Sequence, residues 1–321
     1  MEHYSTLEDI ADFLEDNDDY CIYYHKNPDG DAIGSAYALA MALRAMKKNV
    51  NILCDSPVPA PYHYLTDRYG TDREIRSRTI NISVDSAAPA RLGRYSDAKI
   101  TVCIDHHNVN TIEAKYKYVV QEACSCAEII YELIRIIGVP ISALMADFLY
   151  VGVCTDSMCF RSEAVNSDTL RTAYELSMCH ADVVSIARRF YVTRTEKRIK
   201  IEDRLTGSFK LHAGGKILSS VLTNDDYNEL DITPDDTEGI NDLVETVEGV
   251  KIGIVVRERT KGRCRISVRS MCRVGADKIC AALGGGGHSN AAGAEMDGSA
   301  EEVQRTVVET AERFLNESET L

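Results

Sequence analysis

No apolar run in this 321-residue chain approaches the roughly 20 residues that a membrane-spanning helix requires, so no membrane partner is expected. The opening MEHYSTLEDIADFLED is acidic and lacks the basic-then-apolar order of a secretory signal, which leads to the expectation of a cytoplasmic location. There is no CxxC pair either. The eleven cysteines are odd in number and scattered, and Cys124 and Cys126 stand too close for an ordinary zinc knuckle. They read as reduced thiols, mostly in the core. Positive charge is also short: 36 Lys and Arg face 50 Asp and Glu, a net charge of −14. Proteins that coat long nucleic acid do so by neutralising phosphates, so this balance argues against that role. It leaves open a small phosphorylated substrate held by a local basic patch. Internal repeats and low-complexity linkers are absent as well, while 45% apolar and 27% charged residues are ordinary for a soluble globular chain long enough for two cores.

The first half alternates short β-like runs with helical stretches, the pattern of a mostly parallel sheet flanked by helices. The expected strands are 20–25, 49–54, 80–85, 99–105 and 117–120, with helices near 32–47, 125–137, 142–153 and 167–178. From 182 to 204 the composition turns charged and helical, which reads as a connecting helix. A second set follows, with strands near 216–223, 251–257 and 264–270 and helices near 237–247, 276–283 and 300–316. The run ALGGGGHSNAAGAEM lies between the last two helices. The expected fold class is therefore α/β in two domains: residues 1–184, a helical linker 185–208, and a smaller mixed-sheet domain 209–321.

In open parallel sheets, ligands bind beyond the carboxyl ends of the strands. Asp and His residues gather at those ends. His25 closes the first strand, with Asp29 and Asp31 in the following turn; Asp85 closes the INISV strand; Asp105, His106 and His107 close the KITVCI strand; Asp156 follows the apolar segment ADFLYVGV. Each has a plain reading alone. Asp29-Gly30 is an ordinary turn dipeptide, Asp31 is a fitting N-cap for a helix beginning at Ala32, and Asp85-Ser86 could cap the next helix. Jointly they include two imidazoles and four carboxylates, a donor set suited to a pair of divalent cations. Carboxylates favour hard ions such as Mg²⁺, and histidines tilt the set toward Mn²⁺ or another transition metal such as Co²⁺. Such a pair can activate water and clamp the oxygens of an in-line phosphoryl displacement. Asp85, alone between the flanking groups, is the natural bridging carboxylate.

In order and spacing, HKNPDGDAIGS, VDSAAPARLG, IDHHNVN and GVCTDSMCFR resemble the four motifs of the DHH phosphoesterase family. ISVRS (266–270) and GGGGHSNAAGA (284–294) resemble its DHH-associated C-terminal nucleotide-binding domain. Within the family the similarity is greatest to small bifunctional oligoribonucleases that also dephosphorylate 3′-phosphoadenosine 5′-phosphate (pAp). The chain is similar too to phosphodiesterases of cyclic di-AMP or of pApA. The resemblance implies that His25 and Asp29 hold a first metal, that Asp31, His106 and Asp156 hold a second, and that Asp85 serves both. It also implies that His107 faces the scissile phosphate and that Asp105 orients the imidazoles. Met158 stands where the family pattern has a small residue, which bears on pocket shape.

In the second half, Gly284 to Gly287 would let the backbone approach a phosphate or base closely, and His288 adds a polar contact there. Seven basic residues against one acid lie between Arg257 and Arg273. Of these Arg269, with Ser270 at a strand end, is the best phosphate contact, since a guanidinium fork matches two phosphate oxygens. Arg161 is a second candidate. The substrate-binding set is thus Arg161, Arg269, Ser270, Gly285, Gly286, Gly287 and His288. The expected activity is cleavage of short oligoribonucleotides or of pAp, the partner a short oligonucleotide or small nucleotide; a homodimer is compatible with the sequence. Two other readings are a family-II-type inorganic pyrophosphatase, against which the glycine-rich end argues, and a nucleotide-binding module without catalysis, against which the complete donor set argues.

Overall fold

The computed structural model describes residues 5–70, 79–233, 235–237 and 239–319. Two units divide between Thr193 and Arg194. In the first, helices start where short polar side chains can accept from orphan backbone N–H groups. Thr6 and Asp9 form a capping box on α1 (Leu7–Asp16), Asp29 caps α2 (Gly30–Ala45), Ser125 caps α4 (Cys126–Ile137), Ser142 caps α5 (Ala143–Asp156) and Asn166 caps α6 (Ser167–Met178). The short α3 (His63–Tyr69) and α7 (Val183–Ala187) complete the helices of this unit. Asp31 is therefore not the cap expected from the sequence. It lies within the first turn of α2, one residue past the start, because Asp29 adopts the extended cap conformation.

The strands are β1 (Tyr20–Tyr23), β2 (Val50–Leu53), β3 (Ile80–Val84), β4 (Val102–Asp105) and β5 (Tyr116–Val119), in the order β2-β1-β3-β4-β5 with every pairing parallel. Alternation along β1 sends Tyr20 and Ile22 into the large core under α1, α2, α4 and α5, and Cys21 and Tyr23 into a smaller cluster with Leu92. Strand order reverses between β1 and β3, so their following loops depart in opposite directions and leave a crevice at the carboxyl ends. Two glycines bring α2 and α5 unusually close: a Cβ on Gly34 would lie 2.3 Å from the Phe148 carbonyl oxygen, and one on Gly152 would lie 2.7 Å from Asp31 Oδ1.

The second unit begins with α8 (Glu196–Gly207), capped by Thr195. The single connecting helix expected over 182–204 is thus two helices broken at extended Thr193, with a π-turn at Arg188–Val192 between them. Ile201 and Leu205 of α8 are buried with Leu218 and Val255, so α8 belongs to the second core. The mixed sheet runs β10-β11-β9-β8-β7-β6, from β6 (Lys210–His212), β7 (Ile217–Leu222), β8 (Ile252–Thr260), β9 (Arg263–Ser270), β10 (Gly286–Gly287) and β11 (Ala291–Asp297). The helices α10 (Ala276–Ala282) and α11 (Ala300–Glu319) cover one face, while α8 and α9 (Asn224–Glu229) serve the other. The helix expected at 237–247 is instead two short 3₁₀ turns; Gly239, left-handed at φ 64°, separates them. Among the described residues no helix is long and apolar enough to cross a membrane, and the eleven cysteines carry no disulfide.

Candidate metal centre

Every sequence-predicted residue of the Asp/His set lies at the carboxyl edge of the first sheet. His25 leaves β1, and its Nδ1 donates to the Lys26 carbonyl at 3.0 Å. A carbonyl only accepts, so Nε2 is the nitrogen left to face the carboxylates, 3.5 Å from Asp29 Oδ2 and 3.6 Å from Asp85 Oδ2. His106 repeats the arrangement. Its Nδ1 donates to the Ala123 carbonyl at 3.2 Å, and its Nε2 lies 3.3 Å from Asp156 Oδ2, 3.5 Å from Asp85 Oδ1 and 3.8 Å from Asp31 Oδ2. These separations exceed good hydrogen-bond lengths but suit donors converging on a common ion. In each of the groups His25/Asp29/Asp85 and Asp31/His106/Asp156, the donor atoms lie within 4.8 Å of one another.

Local structure aims each carboxylate. Asp29 Oδ1 caps α2 through the N–H groups of Asp31 and Ala32, leaving Oδ2 toward His25. Asp31 is buried, and its two oxygens accept from the first N–H groups of α4, Cys126 at 2.6 Å and Ala127 at 2.8 Å. Helix N-termini favour such a negative charge. Asp85 is buried at the end of β3 with φ 49°, a left-handed conformation that costs a non-glycine residue on the order of 1 kcal/mol. Asp156 is the last residue of α5, rather than a strand end. After it Met158, Cys159 and Phe160 all have left-handed φ, from 51° to 62°, so half-buried Met158 starts a sharp turn beside the centre.

The electrostatics describe a site short of positive charge. Burial opposes a charged His25, but Asp29 and Asp85 outweigh it and lift its pKa to about 10. His106 is raised in the same way against burial, chiefly by Asp85 and Asp31. Burial, reinforced by Asp85, pushes Asp31 upward, and Asp156 is pushed well up by burial and by Asp31 and Asp85. Asp85 alone goes down: burial opposes ionisation, and the neighbouring His106 and His25 imidazoles outweigh it. Protons here occupy positions that divalent cations would fill, and a mixed imidazole and carboxylate set suits Mn²⁺-like ions.

His107 forms a third such group with Asp85 and His106, its Nδ1 lying 3.8 Å from Asp85 Oδ1 and 2.7 Å from Asp105 Oδ1, and the Asp105 hydrogen bond raises its pKa. A carboxylate only accepts, so Nδ1 is the donor and Nε2 remains outward. Fully buried Asp105 is itself held: Asn110 Nδ2 donates to its Oδ2 at 2.7 Å and to the Ser86 carbonyl at 3.0 Å, while Asn110 Oδ1 accepts from Ile112 N–H. Asn110 escaped the sequence reading. Its position five residues after Asp105 carries no periodic signal, and only the loop's return to β3 gives it a role.

Residues 19–153 match the DHH family, N-terminal domain, and residues 214–317 match the DHHA1 domain. The chain belongs to the DHH phosphoesterase family. It is 29% identical over 275 residues to the bifunctional oligoribonuclease and PAP phosphatase NrnA of Thermus thermophilus, spanning 85% of this chain and 83% of that protein. NrnA of Mycoplasma genitalium is 25% identical over 297 residues, spanning 90% of this chain and 92% of its own. An exopolyphosphatase-related protein from Bacteroides fragilis shares the fold, with a TM-score of 0.84, 24% identity and coverage of 97% and 96% of the two chains.

In the DHHA1 unit the predicted contacts are already engaged. Arg269 pairs with Glu245 at 3.2 Å, and Ser270 Oγ donates to the carbonyls of Val274 and Cys272. The glycines have a packing reason of their own: a Cβ on Gly285 would lie 2.2 Å from the Gly293 carbonyl, and one on Gly287 would lie 2.6 Å from Ala292 Cα. Gly286 and Gly287 form β10 against β11, and exposed His288 closes the hairpin by exchanging backbone hydrogen bonds with Ala291. Arg161, in the DHH unit, is exposed; its Nε donates to the Met158 carbonyl at 2.7 Å and its guanidinium lies 5.0 Å from the Tyr191 ring centre.

Proposed function

We propose that this phosphoesterase is a two-metal hydrolase that cleaves short oligoribonucleotides to mononucleotides and removes phosphate from pAp. The observation that carries the proposal is the split of one buried carboxylate: Asp85 turns Oδ2 to His25 at 3.6 Å and Oδ1 to His106 at 3.5 Å. His25 and Asp29 would hold one cation and Asp31, His106 and Asp156 the other, with Asp85 common to both; the donor set favours Mn²⁺ over Mg²⁺. When bound, two such ions polarise phosphoryl oxygens and make water nucleophilic near neutral pH.

The chain's own residues then divide the remaining work. Asn110 fixes Asp105, Asp105 orients His107 and favours its charged form, and the His107 imidazolium would present Nε2–H to the scissile phosphate as a hydrogen-bond donor. The cations would take the place of the protons that the carboxylates and imidazoles hold here, and would supply the positive charge that a phosphate needs. In the DHHA1 unit, Arg269 would exchange Glu245 for a substrate phosphate, a trade open to a partly exposed pair.

The test is incubation with Mn²⁺ of wild-type and Asp85→Ala protein with a 5′-labelled diribonucleotide and with pAp. Wild type should release mononucleotide and phosphate respectively, and Asp85→Ala should release neither. Near-normal turnover by Asp85→Ala would refute the shared-carboxylate assignment, and release from neither substrate by wild type would refute the activity.

A further inference from the structure

Beside His107 the DHH unit carries a hollow of about 500 Å³ lined by Asn108, Val109, Asn110, Val119, Gln121 and Glu122. Two elements of the catalytic edge build it. Asn108, Val109 and Asn110 come from the loop that leaves β4 after His107, and Val119 pairs with Asp105 at the end of β5. The walls are pinned: Gln121 Nε2 donates to the Asn108 carbonyl at 2.9 Å, and Asn166 Nδ2 donates to the Glu122 carbonyl at 2.9 Å. Asn110 joins the hollow to the reaction, since the same side chain holds Asp105. Through Asp105 this lining residue thus connects to His107.

Its chemistry selects an uncharged ligand. No Lys or Arg lines it, and the carboxylate of Glu122 would repel a phosphate. What it offers is side-chain amide from Asn108 and Gln121, carboxylate oxygen from Glu122, and an apolar surface. Amides present donor and acceptor together, the combination that reads the edges of nucleobases, and a carboxylate accepts from base amino groups or ribose hydroxyls. The apolar surface is Val109, 72% exposed, the most exposed of the large hydrophobic side chains among the described residues. An apolar side chain left this bare two residues from a catalytic histidine has a use if a base or ribose packs on it. The volume lies within the usual range for small-molecule sites.

We propose that this hollow is a second nucleoside subsite, seating the base and ribose that a dinucleotide carries on the second side of its scissile phosphate and that pAp lacks. The proposal rests on the phosphohydrolase reading above. Its exposed rim of Asn108, Val109, Gln121 and Glu122 suits an occupant present in one substrate and missing from the other. Occupancy would add binding energy only for oligonucleotides, so the hollow would set the balance between the two reactions.

The experiment measures kcat/KM of the full chain with Mn²⁺ on pApA and on pAp, for wild type, Val109→Ser and Glu122→Gln. Both substitutions lie on exposed positions, so folding is not at stake. The ratio of kcat/KM on pApA to that on pAp should fall about tenfold in each variant, the scale of one lost ground-state contact. An unchanged ratio, whether both rates hold or both fall together, would overturn the subsite. Wild-type protein inactive on both substrates would instead overturn the hydrolase reading, and the subsite with it.

Discussion

Replacing Gly34 with alanine should destabilise the first unit and loosen its metal centre, although the substitution improves helix propensity. In an open helix interior, Gly→Ala is worth about 1 kcal/mol in favour of folding. Here the added Cβ would lie 2.3 Å from the Phe148 carbonyl oxygen and 3.0 Å from Gly152 N, both backbone atoms of α5 that no rotamer change can move. Overpacking of this kind costs about 1–3 kcal/mol, and an obstacle made of backbone places the cost at the upper end. The net expectation is a loss of about 1–2 kcal/mol, a shift of several degrees in Tm for a unit of this size. The loss has a second consequence. Asp31 sits in the first turn of α2 and Asp156 ends α5, so helices forced apart also separate two donors of the same candidate cation. Thermal unfolding of Gly34→Ala in EDTA should show the lower Tm, and Mn²⁺ titration should show weaker binding. A Tm above wild type together with unchanged Mn²⁺ affinity would refute the reasoning, because propensity would then have decided the outcome alone.

Three further outcomes are expected. Asn110→Ala should lower kcat by about 10–100-fold with little change in KM, because it frees Asp105 and with it His107, while Asn110→Asp should not restore the rate since it cannot donate to Asp105; wild-type kinetics in Asn110→Ala would remove it from the account. Mn²⁺ affinity should rise with pH, since His25, with a pKa near 10, must shed its proton before Nε2 can bind a cation, and isothermal titration in buffers of different ionisation heat should register proton release. In metal-free protein the charged His25 contributes stability that is complete below its unfolded pKa of about 6.5 and is lost as pH rises through about 10. The raised carboxyls of Asp31 and Asp156 act in the same direction, starting above about pH 4, so the EDTA-treated chain should unfold at lower temperature at pH 9 than at pH 6. A flat Tm over that range would contradict the charge balance described for the site.

The gathering of the candidate donors at one sheet edge was legible in the sequence for a local reason. His25, Asp85, Asp105, His106 and His107 close or follow short runs of β-branched and aromatic residues, and in a parallel sheet that position fixes their place at the carboxyl edge. Their division into two groups was not visible in the residues themselves. It depends on the α2–α5 crossing at Gly34 and Gly152 and on α4 donating to Asp31 from some 95 positions away. The hairpin of β10 and β11 was hidden because AAGAEMD lacks the β-branched residues that mark strands; its alanines and glycines serve close backbone approach instead. The segment 237–247 has helical apolar spacing at 240, 243, 244 and 247, yet it forms only short 3₁₀ turns on either side of left-handed Gly239. Asp29, a plain turn residue when taken alone and a metal ligand by the family resemblance, is also the cap of α2, since its two oxygens face different partners.

The most direct test of the account is a crystal of the full chain soaked in Mn²⁺ and measured at the manganese absorption edge. Two anomalous peaks per chain should flank the Asp85 carboxylate, one beside His25 and Asp29 and the other beside Asp31, His106 and Asp156. A single peak, or two peaks that Asp85 does not touch, would contradict it.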